Sequence, residues 1–162
     1  TGAIKGAPKL VKPVTIPELD LARTEKQRAP LAAAVAQVQR RLPGVVDYES
    51  RGTADLEVNA SLIGPRFGDA ELVMLAPLAA HIARADFSGT AITDASAAAL
   101  AAMTGLERLR LANTRISDTT IRALASLKKL RSLSVTGTKV TDEGLSSLRQ
   151  KGVAIYADAD VH

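Results

Sequence analysis

The sequence predicts an α/β fold: a short repeat solenoid with a parallel sheet on one face, helices on the other, and an N-terminal helix/strand cap. Three observations lead there. One pattern recurs every 24 residues: Ile82, Leu106 and Leu130 share a column, as do Ala85, Leu109 and Leu133, and Phe87, Leu111 and Val135. Within each copy the apolar spacing changes from every second residue, the period of a strand, to spacings of three to five, which suit a helix face. Ile116, Ile121, Leu124 and Leu127 show the second kind. Between the two stands a hydroxyl followed by an aspartate: Thr93-Asp94, Ser117-Asp118 and Thr141-Asp142. Such a hydroxyl accepts a bond from the free amides of a first helical turn, and the Asp complements its positive end. One unit has too little apolar surface to stand alone, so the copies must stack.

The elements follow in chain order. Residues 1–23 read as a Pro/Lys-rich linker or extension, with Pro8, Pro13 and Pro17 among Lys5, Lys9 and Lys12; prolines hold such a stretch extended. A chain that opens on Thr1 rather than Met is expected to be processed or part of a longer one, and no targeting signal is readable in it. Residues 24–42 predict a helix that starts near Thr24 or Ala29, with Pro30 in its first turn and Leu31, Val35, Val38 and Leu42 on one face. Pro43-Gly44 stops it. Two strands, 45–50 and 56–62, flank a turn at 51–55. Residues 24–55 are thus the cap that an end repeat, lacking a neighbour, requires.

Residues 56–78 predict a degenerate first repeat. Phe67 stands in the Ile/Val column, Asp69 in the Asp column, and Leu72, Leu75 and Leu78 in the helical columns. Pro65 replaces the turn threonine, and the spacing to the next unit is one residue longer. At the far end the last helix is cut short by residues 148–152. Val153 and Ile155 form a closing strand, Tyr156 lids the exposed end, and 157–162 are a polar tail. The repeats with their closing strand therefore span 56–156.

The units L-E-R-L-R-L-A-N-T-R-I-S-D and L-R-S-L-S-V-T-G-T-K-V-T-D resemble leucine-rich repeats, in the bacterial subtype where T-x-[IV]-[TS]-D replaces an Asn-based turn. The resemblance covers roughly residues 56–156. It puts Thr90, Thr114 and Thr138 where many repeats carry an Asn that bonds neighbouring backbone, which implies structural threonines rather than nucleophiles. Units close to T-K-V-T-D-E-G-L, after a helix and a divergent first unit, also look like repeats C-terminal to c-type cytochrome-like domains in certain bacterial membrane-anchored proteins. That implies a bacterial periplasmic or otherwise extracytoplasmic setting and a membrane-associated or electron-transfer complex. The chain has no C-x-x-C-H, so any haem would belong to other chain or to a partner. Similar repeats also occur beside F-box elements in ubiquitin-ligase subunits, which makes an intracellular adaptor the chief alternative. Against it, no F-box-like helical segment precedes the repeats and the usual cysteines are missing.

The residue inventory narrows the chemistry. With no cysteine, disulfides, thiol catalysis and thiolate metal sites are excluded. There is no apolar run of eighteen residues and hence no transmembrane segment in this sequence. The formal charge of +4 is concentrated in Lys5, Lys9 and Lys12 and in Lys26, Arg28, Arg40 and Arg41, while the repeats mix signs. Nucleic-acid binding would also want aromatic platforms, and the only aromatics are Tyr48, Phe67, Phe87 and Tyr156. His81, near Asp86, and His162, near Asp158 and Asp160, suggest neither a general base nor a metal site. No phosphate loop and no G-x-S-x-G elbow is present. No cofactor is implied, and a hydrolase would need a site that the sequence hides.

What remains is a surface. Parallel strands set one residue every ~4.8 Å across a sheet, and the outward row of such strands serves protein binding in solenoids. Here that row is expected to hold Arg84, Asp86 and Ser88, then Arg108, Arg110 and Asn113, then Ser132, Ser134 and Thr136. The expected activity is non-enzymatic: an interaction or scaffold module for another protein.

Overall fold

The computed structural model describes residues 21–158. The expectations for residues 1–20, for His162 and for the end of the polar tail fall outside them. Six strands make one sheet in chain order: β1 (Val46–Tyr48), β2 (Leu56–Asn59), β3 (Ile82–Asp86), β4 (Arg108–Arg110), β5 (Ser132–Ser134) and β6 (Ala154–Tyr156). β1 runs antiparallel to β2, and every later pair is parallel. Parallel neighbours need a return segment. In the four repeats the returns carry α2 (Asp69–Val73), α3 (Ala97–Ala101), α4 (Asp118–Leu124) and α5 (Asp142–Gln150). The 24-residue period becomes register: Arg84 pairs with Arg108 and Arg108 with Ser132, while Leu109 pairs with Leu133.

Stacking in register joins the apolar columns into one core. Val58, Ala85, Leu109 and Leu133 are buried beneath the sheet, followed by Ala60, Phe87, Leu111 and Val135. Leu72, Leu100, Ile121, Leu124, Leu145 and Leu148 meet them from the helical side. Phe67 and Phe87 stack with ring centroids 5.6 Å apart where the first repeat meets the second. Beyond β3, β4 and β5 a threonine hydroxyl donates to the carbonyl three residues back: Thr90 to Phe87 (2.6 Å), Thr114 to Leu111 (2.7 Å) and Thr138 to Val135 (2.6 Å). These hydroxyls close the turn.

The aspartate column has a wider reach than helix-end complementarity. Asp94, Asp118 and Asp142 do begin helical turns, behind the caps Thr93, Ser117 and Thr141. But each carboxylate that has a repeat after it also accepts bonds from that repeat's cap. Asp69 takes the Thr93 N–H (2.9 Å) and hydroxyl (2.7 Å), and the Ser96 hydroxyl as well. Asp94 takes the Ser117 N–H (2.8 Å) and hydroxyl (2.6 Å) and the Thr120 hydroxyl (2.6 Å). Asp118 takes the Thr141 N–H (2.8 Å) and hydroxyl (2.6 Å). A ladder of carboxylates thus runs along the solenoid. Burial raises the pKa of Asp69 and Asp94, yet the donated bonds outweigh it and hold both below the ordinary carboxylate value.

The structure differs from expectation at the first end. α1 (Leu21–Arg41) takes in Leu21–Arg23, so Pro30 lies in the helix interior rather than its first turn. Its missing N–H costs the Lys26 carbonyl an intrahelical partner; both residues are exposed, so water can take that place. The first repeat is also longer than expected at its strand: Val58 pairs with Ala85, 27 positions on. At the turn Phe67 and Ile92 remain 25 apart. The extra residues form a 3-10 turn, Gly64–Arg66, in place of the threonine turn. Finally, Arg28 is not simply a solvated charge. Its guanidinium lies 3.9 Å from the centre of the Tyr48 ring, and its Nε donates to the Thr53 carbonyl at 2.8 Å, tying α1 to the β1–β2 hairpin.

Candidate surface on the outer face of the sheet

Alternation along each strand sends every second side chain away from the core. Register then lines those side chains up across the sheet. One outward row runs Asp47, Glu57, Arg84, Arg108, Ser132, Ala154, and a second runs Asn59, Asp86, Arg110, Ser134, Tyr156. Six of the residues expected from sequence (Arg84, Asp86, Arg108, Arg110, Ser132 and Ser134) stand in these rows. Ser88 and Thr136 follow just beyond the strand ends.

Asn113 does not belong with them. Its column mates are Gly89 and Gly137, and all three have positive φ (70°, 56° and 71° for 89, 113 and 137). It is a turn residue, present because Asn adopts the left-handed conformation more readily than other side chains. Ala112 takes the outward place, between Ser88 and Thr136.

Tyr156 was expected to lid the end of the core. Instead it is 62 % exposed and takes its place in the second row beside Ser134. The spacing from Ser134 to Tyr156 is 22 residues rather than 24, which hides the column in the sequence. Asp47, Glu57, Asn59, Ala154 and Arg131 were also not foreseen on this face.

The charges are unevenly shared. Arg84 Nε stands 2.8 Å from Glu49 Oε1, in contact but not aligned as a hydrogen bond, and Arg110 lies 3.7 Å from Asp86. Asp86 is held in place by the Ser88 N–H at 3.0 Å. Arg108 and Arg131 are exposed and belong to no ion pair among the described residues. They line a groove of about 680 Å³ with Arg110, Ser132, Ser134 and Tyr156. A smaller hollow of about 270 Å³ lies beside it, over Glu57, Asn59, Arg84 and Asp86, and shares Arg108 and Arg110 with it. Such an arrangement can hold an extended or protruding segment by charge, hydroxyl bonds and one aromatic surface.

The other candidates lie apart. His81 is exposed at the end of the 3-10 turn Ala76–His81, on the approach to β3. Among the described residues no group of three or more His, Cys, Asp or Glu is placed to hold a metal ion, and no helix is long and apolar enough to cross a membrane.

Comparison with known proteins bears on the repeats. Residues 126–148 match the family described as Leucine Rich repeat. Among solved structures, an internalin from Listeria monocytogenes is similar at 19 % identity, with a TM-score of 0.38. The match covers 54 % of this chain and 32 % of the internalin, about a third of its length. No curated protein sequence matches. The matched segment holds the end of one repeat and the strand, turn and helix of the next, and the same unit recurs in register from β3 to α5. The fold is a short leucine-rich-repeat solenoid.

Proposed function

We propose that this chain is a non-enzymatic protein-interaction or scaffold module that acts through the outer face of its sheet. One observation carries the reading: two in-register rows of outward polar side chains border a groove that ends on an exposed tyrosine. The inner sides of the helices, by contrast, are occupied with packing the repeats together. We place the module in a bacterial, extracytoplasmic, membrane-associated or electron-transfer complex. The support for that setting is the likeness of the T-x-[IV]-[TS]-D units to repeats that follow membrane-anchored cytochrome-like domains. In this reading residues 24–55 cap the stack and 56–156 form the binding slab.

The test is site-specific photo-cross-linking in native extract. A photoreactive side chain at Ser134, on the outer face, is expected to capture a membrane or electron-transfer component. The same group at Ser146, exposed on α5, is expected to capture far less. Equal capture at both positions would remove the sheet face from consideration, and ligase components at Ser134 would favour the adaptor alternative. Turnover of general ester or peptide substrates by the purified chain would restore the hydrolase reading.

A further inference from the structure

We infer that the groove over β4–β6 recognises an acidic protein segment with an apolar or aromatic side chain among its carboxylates. This rests on the interaction reading above and gives the partner its chemistry. The face divides by charge along the solenoid. Towards β1, Asp47, Glu49, Glu57 and Asp86 gather around Arg84, and the smaller hollow there shares Arg108 and Arg110 with the groove. Towards β6, Arg108, Arg110 and Arg131 converge on the larger groove, and no carboxylate lines it.

Arg108 and Arg131 are therefore cations without an internal counter-charge among the described residues, and Arg110 has one only at 3.7 Å. A guanidinium presents a planar fork of donors that suits a carboxylate in two-point contact. Ser132 and Ser134 supply hydroxyls that bond either carboxylates or peptide groups. Tyr156, largely exposed at the far wall, offers a rigid ring against which an apolar side chain can lie. The acidic half next door repels a uniformly anionic ligand. It therefore favours a short acidic stretch with a neutral or basic flank over a long polyanion.

The probe is a labelled octapeptide of Asp and Glu with one Phe, followed by fluorescence anisotropy. Its counterparts replace the acids by Gln or by Lys, and an oligothymidylate of equal charge serves as the polyanion. The acidic peptide is expected to bind, more weakly as salt rises, and the other three to bind at least about tenfold less well. R108E/R131E is expected to weaken it by about tenfold or more. R108Q/R131Q should have a smaller effect of the same sign, and R122E/K128E, on the helical side, almost none. Y156A should weaken the Phe-bearing peptide and spare its Phe-free version. No binding of the acidic peptide, equal binding of its Gln form, tighter binding of the oligothymidylate, or indifference to R108E/R131E would overturn the inference. Cross-linking at Ser134 separates the two claims. If it persists in R108E/R131E, the interaction reading stands and the acidic segment falls. If it is absent in the unaltered chain, the interaction reading itself falls.

Discussion

Asp94 accepts three hydrogen bonds from the repeat that follows it, all at 2.8 Å or less. Truncating it strips two part-buried hydroxyls and an amide of their partner, so Asp94→Ala is expected to cost about 2–3 kcal/mol of unfolding free energy in a urea titration. The Asp142 carboxylate is 44 % exposed where it pairs with Arg149, and exposed ion pairs contribute little; Asp142→Ala should cost well under half as much. The same bonds set a pH dependence. Asp69 and Asp94 titrate below the ordinary carboxylate value in the fold, so between the folded and unfolded values the unfolded chain binds more protons. Their contribution is complete above the unfolded value and is lost as pH falls through the folded values. Melting temperature should therefore drop on acidification below about pH 4, less steeply in Asp94→Asn. A third rung is incomplete. Ser96 and Thr120 donate to the preceding aspartate, whereas their column mate Gly144 has no hydroxyl, and Asp118 Oδ1 sits 2.2 Å from where its Cβ would be. Both oxygens and the carbon of that carboxylate crowd the Cβ position while Thr141 holds it by two bonds, so Gly144→Ser must displace it and is expected to lose about 1 kcal/mol. A gain of stability instead would mean that the new hydroxyl completes the rung as Ser96 and Thr120 do.

The elements show which interactions a sequence exposes and which it conceals. The strands, the helix starts and the parallel order were legible, because column repetition and local period are countable along the chain: Leu109, Leu111 and Ile116 need only one another to be read. The clamp from Asp94 to Ser117 was not. It joins residues 23 positions apart, and both ends already had a sufficient local explanation as a helix start. On the outer face, Arg108 and Ser134 were legible because the regular spacing reaches them. Tyr156 was masked by the shorter last turn, and Asn113 was misplaced because a left-handed φ leaves no mark in periodicity. Arg28 was hidden for another reason: only the antiparallel return of β1 brings Tyr48 and the Thr53 carbonyl to α1. Arg28→Ala is expected to lose about 1–2 kcal/mol through two charge-assisted bonds, to the Thr53 and Ser50 carbonyls, and the ring contact. The measurable sign is faster amide exchange across 46–58 with little change in β4 and β5.

Across the whole molecule, stability is passed from neighbour to neighbour. Among the described residues the main contacts between elements lie within one repeat or between neighbours, so cohesion is chiefly a sum of adjacent interfaces. β3 and β4 are hydrogen-bonded on both sides, whereas β6 is the last strand of the sheet. Amide protection should be greatest in β3 and β4 and fall towards β6, with β1 intermediate because α1 packs over it. An even profile would show a single cooperative block instead.

The carboxylate ladder also bears on how such a protein can grow. Residues 106–129 offer one aspartate forward and receive one from behind, so a duplicate inserted beside them would find both of its mating surfaces already made. The stacked phenylalanines at the first junction have no such twin, because the turn there has a different length. Length is thus free to change in the middle of the chain and fixed at its start, and that is where inheritance by copying would leave its trace.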